Sequence, residues 1–313
     1  IIGRLVGSEM CIRDRSCWVR MDAPQPPPYG RGDFRLLDFS NPKLVAWLTD
    51  HIDEQITAQG VDLYRHDGIP PLRFWRANDA IDRQGISEIR HVEGLLRYWD
   101  ELRRRHPMLR LDICSGGGSR NDLEALRRCV PLWRSDYAYE TTGMQTLTYG
   151  MSLWIPYFGT GINASDRYTF LSQMAPANNL SWDLRRTDSD YDFHRRMVSR
   201  RRGVADFYYS DFYPLTAYRT ENDVWMAWQF NRPETGGGIV QAFRRPKSPA
   251  VAMSFRLRGL EPDARYRIID PDHETSEETL TGLTLMSTGL LVTLAEPRDA
   301  ALIRYQRLPT TAR

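Results

Sequence analysis

The sequence predicts an α/β protein: an incomplete (β/α)8 TIM barrel with about six of its eight strands, followed by an antiparallel β-sandwich. Short apolar strands alternate with amphipathic helices as far as Gly203, which is typical of parallel βα units. Several of these strands end in polar groups, as barrel strands do at a catalytic face. Beyond residue 210, short apolar runs separated by turn residues indicate antiparallel strands.

The first helix is the clearest element of the barrel part. Ser40-Asn41-Pro42 is a helix-start signal, with a polar cap and a Pro in the first turn. Apolar residues follow at helical spacing, and Gly60 ends the helix. A second amphipathic helix from Ile86 to Leu102 is stopped by Pro107. A basic helix is predicted from Tyr191 to Gly203, and its arginines are interpreted as a solvated face.

The barrel strands are predicted from short apolar runs. These are Leu36–Phe39, Val61–Arg65, Leu109–Ile113, Leu132–Ser135, Met151–Phe158 and the region Asn178–Leu184. A complete barrel needs eight strands, and about six counted back from its end leave two missing. We therefore expect the chain to begin inside a barrel and, as written, to have little activity.

The C-terminal strands are predicted from runs that alternate with turns. They are Val224–Asn231, Ile239–Arg245, Ala250–Leu257, Tyr266–Ile269, Leu290–Leu294 and Ala301–Tyr305. The predicted domains are therefore a barrel part at 16–210 and a β-sandwich at 211–313. Residues 1–15 form a leader without helical period or capping signals, and it resembles translated sequencing-adaptor sequence. We expect this leader to be foreign and poorly packed. It shows no signal-peptide pattern, so location stays open, with a cytoplasmic one favoured.

Composition excludes several classes of function. The net charge is +2 over 313 residues, so nothing global indicates a nucleic-acid or membrane partner. The four cysteines and six histidines lack the spacing of a zinc site, so we predict no metal and no disulfide framework. No cofactor motif is present, because the glycines after Cys114 fit neither phosphate-loop nor dinucleotide spacing.

Polar groups end three of the predicted strands. Asp67 and Asp136 each follow an apolar run, and a glycine turn begins at Cys114. Two carboxylates on the active face of a barrel are typical of glycoside hydrolysis. Alternatives for each stay open: Asp67 as a turn cap, and Asp136 as the partner of Arg134 in a salt bridge.

The three motifs together resemble those of the α-galactosidases of glycoside hydrolase family thirty-six. The nucleophile motif of that family, K-W-D-x-N or R-Q-D-F-N, is similar to Arg65-His66-Asp67. Its C-S-G-G-G-x-R-x-D loop matches Cys114–Asp122, and its W-x-S-D motif matches Trp133–Asp136. Ile69 stands where the family usually has Asn.

The resemblance implies a retaining hydrolase of terminal α-galactosides that needs no cofactor and binds a glycoside or oligosaccharide. It makes Asp67 the nucleophile and Asp136 the acid/base, which would lie about 5–5.5 Å apart. The expected substrate-binding residues are Arg65, Trp75, Cys114, Gly116, Gly117 and Arg120. The alternatives are a non-catalytic sugar-binding relative and a transglycosylase of the same clan. A homo-oligomer is possible for the full-length protein.

Overall fold

The computed structural model describes residues 37–67, 79–137, 139–270 and 278–309. The chain divides into two compact units, residues 1–131 and residues 132–313. No helix in the described ranges is both long and apolar enough to cross a membrane. The predicted leader and Trp75 lie outside the described residues.

The first unit alternates helices and parallel strands. Its elements are α1 (Pro42–Gln59), β1 (Leu63–Asp67), α2 (Ile86–Arg105), β2 (Arg110–Cys114) and α3 (Leu123–Leu126). Local signals define α1 as predicted, because Asn41 Oδ1 accepts the Lys43 N–H and Gly60 ends the helix at φ +63°. Strands β1 and β2 pair in parallel, with Asp67 opposite Cys114.

Strand β2 and helix α2 form the core of the first unit. Tyr98, Trp99 and Leu102 lie on the buried face of α2, and Leu111 and Ile113 point into the same cluster from β2. The apolar residues of α2 recur three and four positions apart, so they share one stripe. This packing fixes the strand ends, where the polar residues lie.

The α/β part of the second unit holds a second parallel pair. Its elements are α4 (Thr141–Ser152), β3 (Gly159–Ile162), α5 (Arg167–Gln173), β4 (Ala177–Leu180) and α6 (Tyr191–Val204). Strands β3 and β4 pair in parallel, and α6 is the predicted basic helix. The α/β class is confirmed, whereas closure of the strands into one barrel stays a prediction.

Two strand predictions in this region are wrong. Met151–Phe158 is the end of helix α4 and a loop, and the strand begins only at Gly159. A short apolar run cannot distinguish a helix end from a strand, and Pro156 falls inside this one. Leu132–Ser135 is irregular: Arg134 N–H donates to Gly159 O, and the Leu132 carbonyl accepts the Asn179 side-chain N–H.

The antiparallel region begins at β5 (Asp211–Pro214). The remaining elements are β6 (Trp225–Arg232), β7 (Gly237–Arg244), β8 (Ala252–Phe255), β9 (Arg265–Ile269), β10 (Glu278–Thr281), α7 (Gly282–Ser287), β11 (Leu290–Thr293) and β12 (Asp299–Arg307). One sheet has the order β10-β9-β12-β7-β6-β5, and β8 and β11 form a separate pair. Each of the six strand runs predicted for the C-terminal region contains a strand.

The central strands of this sheet are buried on both faces. On one face, Met226, Trp228 and Phe230 pack against α5, α6 and the residues that follow α6. On the other, Trp225 and Ala227 contact a cluster that includes Phe255 and Val292 from the β8–β11 pair. The arrangement explains why β6 and β7 read as nearly continuous apolar runs rather than as an alternating pattern.

Candidate active site

Asp67 is the last residue of β1 and is accessible to solvent. Its side chain is 50% exposed, and Arg65 Nη2 lies 3.4 Å from Asp67 Oδ2. Arg65 and Asp67 are two positions apart on the strand, so their side chains leave the same face of the sheet. The guanidinium can therefore orient the carboxylate.

Arg65 is itself held by a carboxylate on the neighbouring strand. Arg65 Nη1 lies 2.5 Å from Oδ2 of Asp112, whose side chain is only 4% exposed. The parallel register places these two residues directly opposite each other. Asp112 was not predicted as a site residue, because the sequence alone does not give the pairing of the strands.

His66 lies between Arg65 and Asp67 on β1, and its side chain faces the core. Rings of Phe39, Tyr64 and Tyr98 surround it, and Nδ1 accepts the Trp99 Nε1–H at 3.0 Å. Loss of water, together with the nearby Arg120 charge, lowers the pKa of His66 to about 4. The imidazole is therefore neutral near pH 7, which the bond from Trp99 also requires because Nδ1 must carry a lone pair.

Cys114 ends β2 directly opposite Asp67 and is buried. Burial raises the pKa of its thiol, and a hydrogen bond with Asp67 acts in the same direction, while Gly117 N–H and Arg65 oppose it. The thiol is therefore protonated near neutral pH. Its S–H is available as a weak donor at the position where the nucleophile is predicted.

The glycine turn after Cys114 needs glycine for its backbone. Gly116 and Gly117 have φ of +52° and +69°, a region that other residues rarely adopt. Ser115 N–H donates to Gly117 O at 3.3 Å and closes the turn. The structure therefore places Cys114, Gly116 and Gly117 together after β2, in the same unit as Asp67.

Arg120 follows the turn and is partly buried. Burial lowers the pKa of Arg120, and Asp122 opposes this effect. The Arg120 charge in turn depresses the pKa of both His66 and His91. Asp122 caps α3 by accepting the Ala125 N–H at 2.9 Å, which accounts for its position in the motif.

Asp136 lies in the second unit and is exposed. Its Oδ1 accepts the Nε1–H of Trp133 at 2.9 Å. The neighbouring Arg134 points instead into α4, donating to Thr148 Oγ1 and to the Met144 carbonyl. Because Arg134 is fully buried, its pKa is lowered to about 9. The donor role of Trp133 was not predicted, although the three-residue spacing was visible in the sequence.

The described residues contain no group of three His, Cys, Asp or Glu side chains that could hold a metal ion. The described residues include two exposed carboxylates, Asp67 and Asp136, each with a neighbouring N–H donor. Asp67 lies in the first unit and Asp136 in the second, and the distance between them stays a prediction.

Comparison with known families gives two matches. The melibiase model matches residues 6–169, starting inside the predicted leader, and the model of the glycosyl hydrolase family 36 C-terminal domain matches residues 225–304. Among curated proteins, the α-galactosidase AgaA of Geobacillus stearothermophilus is 24% identical over 277 residues, or 80% of this chain. α-Galactosidase 1 of Pediococcus pentosaceus is 24% identical over 265 residues. The chain spans 36% of the length of each of these two relatives.

Solved structures show the same fold. An α-galactosidase from Lactobacillus brevis superposes with a TM-score of 0.78 at 17% identity, over 98% of this chain and 43% of that one. The family 36 α-galactosidase AgaB from Geobacillus stearothermophilus gives 0.76 at 20% identity, over 96% and 42%. The melibiase match alone covers more than half of the residues. The chain therefore belongs to the melibiase family, in glycoside hydrolase family 36.

Proposed function

We propose that the chain carries the two catalytic carboxylates of a retaining glycoside hydrolase acting on terminal α-galactosides. Family membership supports the class of reaction. The observation that carries the residue assignment is that Asp67 and Asp136 are both exposed, each beside an N–H donor, at the two aspartate positions of the family motifs. A buried or fully paired carboxylate at either position would be unable to reach a sugar.

Asp67 is the nucleophile in this proposal. Its carboxylate attacks the anomeric carbon while the bond from that carbon to the leaving oxygen breaks, which forms a glycosyl ester. Arg65 keeps the attacking oxygen in place, and Asp112 keeps Arg65 in place. The thiol of Cys114 lies beside Asp67 and faces the part of the sugar nearest the nucleophile.

Asp136 is the acid/base. It gives its proton to the leaving oxygen in the first step, and its carboxylate then takes a proton from the water that attacks the anomeric carbon. That attack breaks the ester to Asp67 and restores both carboxyl groups. The neutral indole N–H of Trp133 suits a group that changes charge, because it can donate to either form.

The substrate class is terminal α-galactosides, including raffinose-type oligosaccharides. Solved relatives from Geobacillus stearothermophilus hold raffinose and stachyose. The proposed binding residues for the transferred sugar are Cys114, Gly116, Gly117, Arg120 and Trp75. The full-length protein is the species to assay, because the chain matches only part of its relatives.

Trapping of the glycosyl ester tests the assignment of Asp67. The full-length protein is treated with a mechanism-based galactosyl inhibitor and digested, and the labelled peptide is sequenced by mass spectrometry. We expect one added galactosyl residue on Asp67, no label in Asp67→Asn, and normal labelling in the control Asp82→Asn, whose carboxylate is exposed. A protein that binds galactosides but forms no adduct would be the non-catalytic relative.

Product stereochemistry with azide separates the two carboxylates. In Asp136→Gly the ester at Asp67 still forms from an activated substrate, and azide displaces it to give the α-galactosyl azide. In Asp67→Gly azide attacks the α-substrate directly and gives the β-azide, because only one inversion occurs. The same azide anomer from both variants contradicts the assignment. Partition of the ester between water and sugar acceptors measures any transglycosylase character.

A further inference from the structure

Two aromatic rings, Trp133 and Tyr139, form a wall within three residues of Asp136 along the chain. Trp133, whose indole donates to Asp136, packs against Tyr139 with ring centroids 6.1 Å apart at an interplanar angle of 64°. Tyr139 is 37% exposed, so part of its surface faces solvent. The catalytic steps proposed above use neither the Tyr139 ring nor its hydroxyl.

Tyr139 is held in a conformation that tyrosine rarely adopts. Its φ is +75°, in the left-handed region, which costs a residue with a Cβ about 1 kcal/mol or more. Such a backbone persists only where its surroundings determine it, and strained residues of this kind cluster at ligand sites. The strain itself gives no function, but it shows that the position of this ring is imposed.

Gly161 on β3 supports the wall from behind. A Cβ at this position would lie 2.8 Å from a ring atom of Trp133 and 2.8 Å from the Tyr139 hydroxyl. Any other residue would therefore displace one of the two rings. The absence of a side chain at Gly161 allows both rings to lie against the strand.

We propose that Tyr139, together with Trp133, forms the surface on which the leaving-group sugar packs, so that Tyr139 determines the preference for the leaving group. This rests on the proposed role of Asp136 as the acid. The oxygen that receives its proton is bonded to the leaving group, so that group must lie among the residues around Asp136. Aromatic rings offer a flat apolar surface that matches the C–H face of a hexose ring.

In this proposal, different residues recognise the two parts of the substrate. Contacts near Asp67 recognise the transferred galactosyl group, which every substrate shares. The wall contacts only substrates whose leaving group carries a ring. Its contribution should therefore appear with raffinose and disappear with α-galactosyl fluoride, whose leaving group is a single atom.

The test compares these two substrates in the full-length protein and two variants. Tyr139→Gly removes the ring and accepts the left-handed backbone, so the fold is expected to be retained. Tyr139→Phe keeps the ring and removes the hydroxyl. We expect Tyr139→Gly to lose about tenfold in kcat/KM for raffinose and less than about twofold for α-galactosyl fluoride. Tyr139→Phe should stay within about threefold of the parent on both.

Product inhibition gives an independent readout. Sucrose, the leaving group of raffinose, should inhibit Tyr139→Gly about tenfold more weakly than the parent, while inhibition by galactose stays unchanged. If Tyr139→Gly unfolds, Tyr139→Asn replaces it, because Asn also tolerates a positive φ. Equal losses on raffinose and fluoride, or unchanged sucrose inhibition, would overturn the proposal. A parent that does not turn over the fluoride would instead contradict the proposed function.

Discussion

The two candidate catalytic carboxylates are held in different ways. Asp67 ends a regular strand and lies against a charged group, Arg65, which a buried carboxylate on the next strand holds in turn. Asp136 follows an irregular segment and is held by a neutral indole N–H. A cation stabilises a permanent negative charge, whereas a neutral donor tolerates loss and gain of a proton. The difference matches a nucleophile on one side and an acid/base on the other.

The two carboxylates are both exposed, but they differ in what holds the groups around them. The Asp67 side chain is half exposed, yet the groups behind it are ordered by strand pairing and by the core of the first unit. Asp136 depends on a contact three residues away along the chain. Changes to the first unit should therefore affect folding together with activity, and changes beside Asp136 should affect activity alone.

The largest expected effects come from the carboxylates themselves. Asp67→Asn removes the proposed nucleophile, and we expect kcat to fall on the order of 10⁵-fold for every substrate. Asp136→Asn removes the proposed proton donor. We expect kcat to fall about 10²–10⁴-fold for raffinose but far less for α-galactosyl fluoride, whose leaving group needs little protonation. Steady-state rates on both substrates measure this. An Asp136→Asn variant that loses as much kcat on α-galactosyl fluoride as on raffinose would contradict the distinction between the two carboxylates.

The next effect concerns the charged pair behind Asp67. Arg65→Met leaves the buried carboxylate of Asp112 without its guanidinium partner, and we expect the free energy of unfolding to fall by about 2 kcal/mol. Urea denaturation of the full-length protein measures this. The matched control is Arg97→Met, which removes an exposed i,i+4 pair with Glu93 and should change stability by less than about 0.5 kcal/mol. An unchanged free energy of unfolding in Arg65→Met would contradict a stabilising role of the Arg65–Asp112 pair.

How much the sequence could predict depended on the range of the interactions. Helix α1 was predicted closely because its signals, Asn41 and Gly60, act on their own neighbours. The positions of Asp67 and Asp136 followed from motif patterns. The Arg65–Asp112 contact joins residues 47 positions apart and exists only through the parallel register, which composition and periodicity do not encode.

The wrong predictions have the same physical origin. Met151–Phe158 is a short apolar run that mixes buried residues of α4 and its following loop with exposed ones, and apolar character alone does not specify strand or helix. The strain at Tyr139 was also invisible, because a positive φ outside glycine depends on tertiary contacts.

Acid should lower the stability of the unit that holds Asp67, because the His66 side chain faces the core of that unit. The pKa of His66 is about 4 in the folded state against about 6.5 unfolded, so between these values the unfolded chain binds the extra proton. Stability is therefore lost as pH falls from about 6.5 towards 4, by up to about 1.4 kcal/mol per pH unit. Denaturation midpoints across that range measure the slope. His66→Gln keeps an acceptor for Trp99 and should reduce this slope, and His91, whose pKa is also lowered to about 4, should supply the remainder.

The smallest expected effect concerns the neutral N–H that Trp133 donates to Asp136. Trp133→Phe keeps a ring against Tyr139 but removes the N–H that Asp136 accepts, and this exposed hydrogen bond should be worth about 1 kcal/mol. We expect kcat for raffinose to fall about fivefold, with stability nearly unchanged. Trp154→Phe, an exposed tryptophan in the same unit, is the control. The size of the effect decides what Trp133 does: a fivefold loss means that the indole positions Asp136, whereas a loss as large as that of Asp136→Asn would mean that proton transfer itself depends on the N–H.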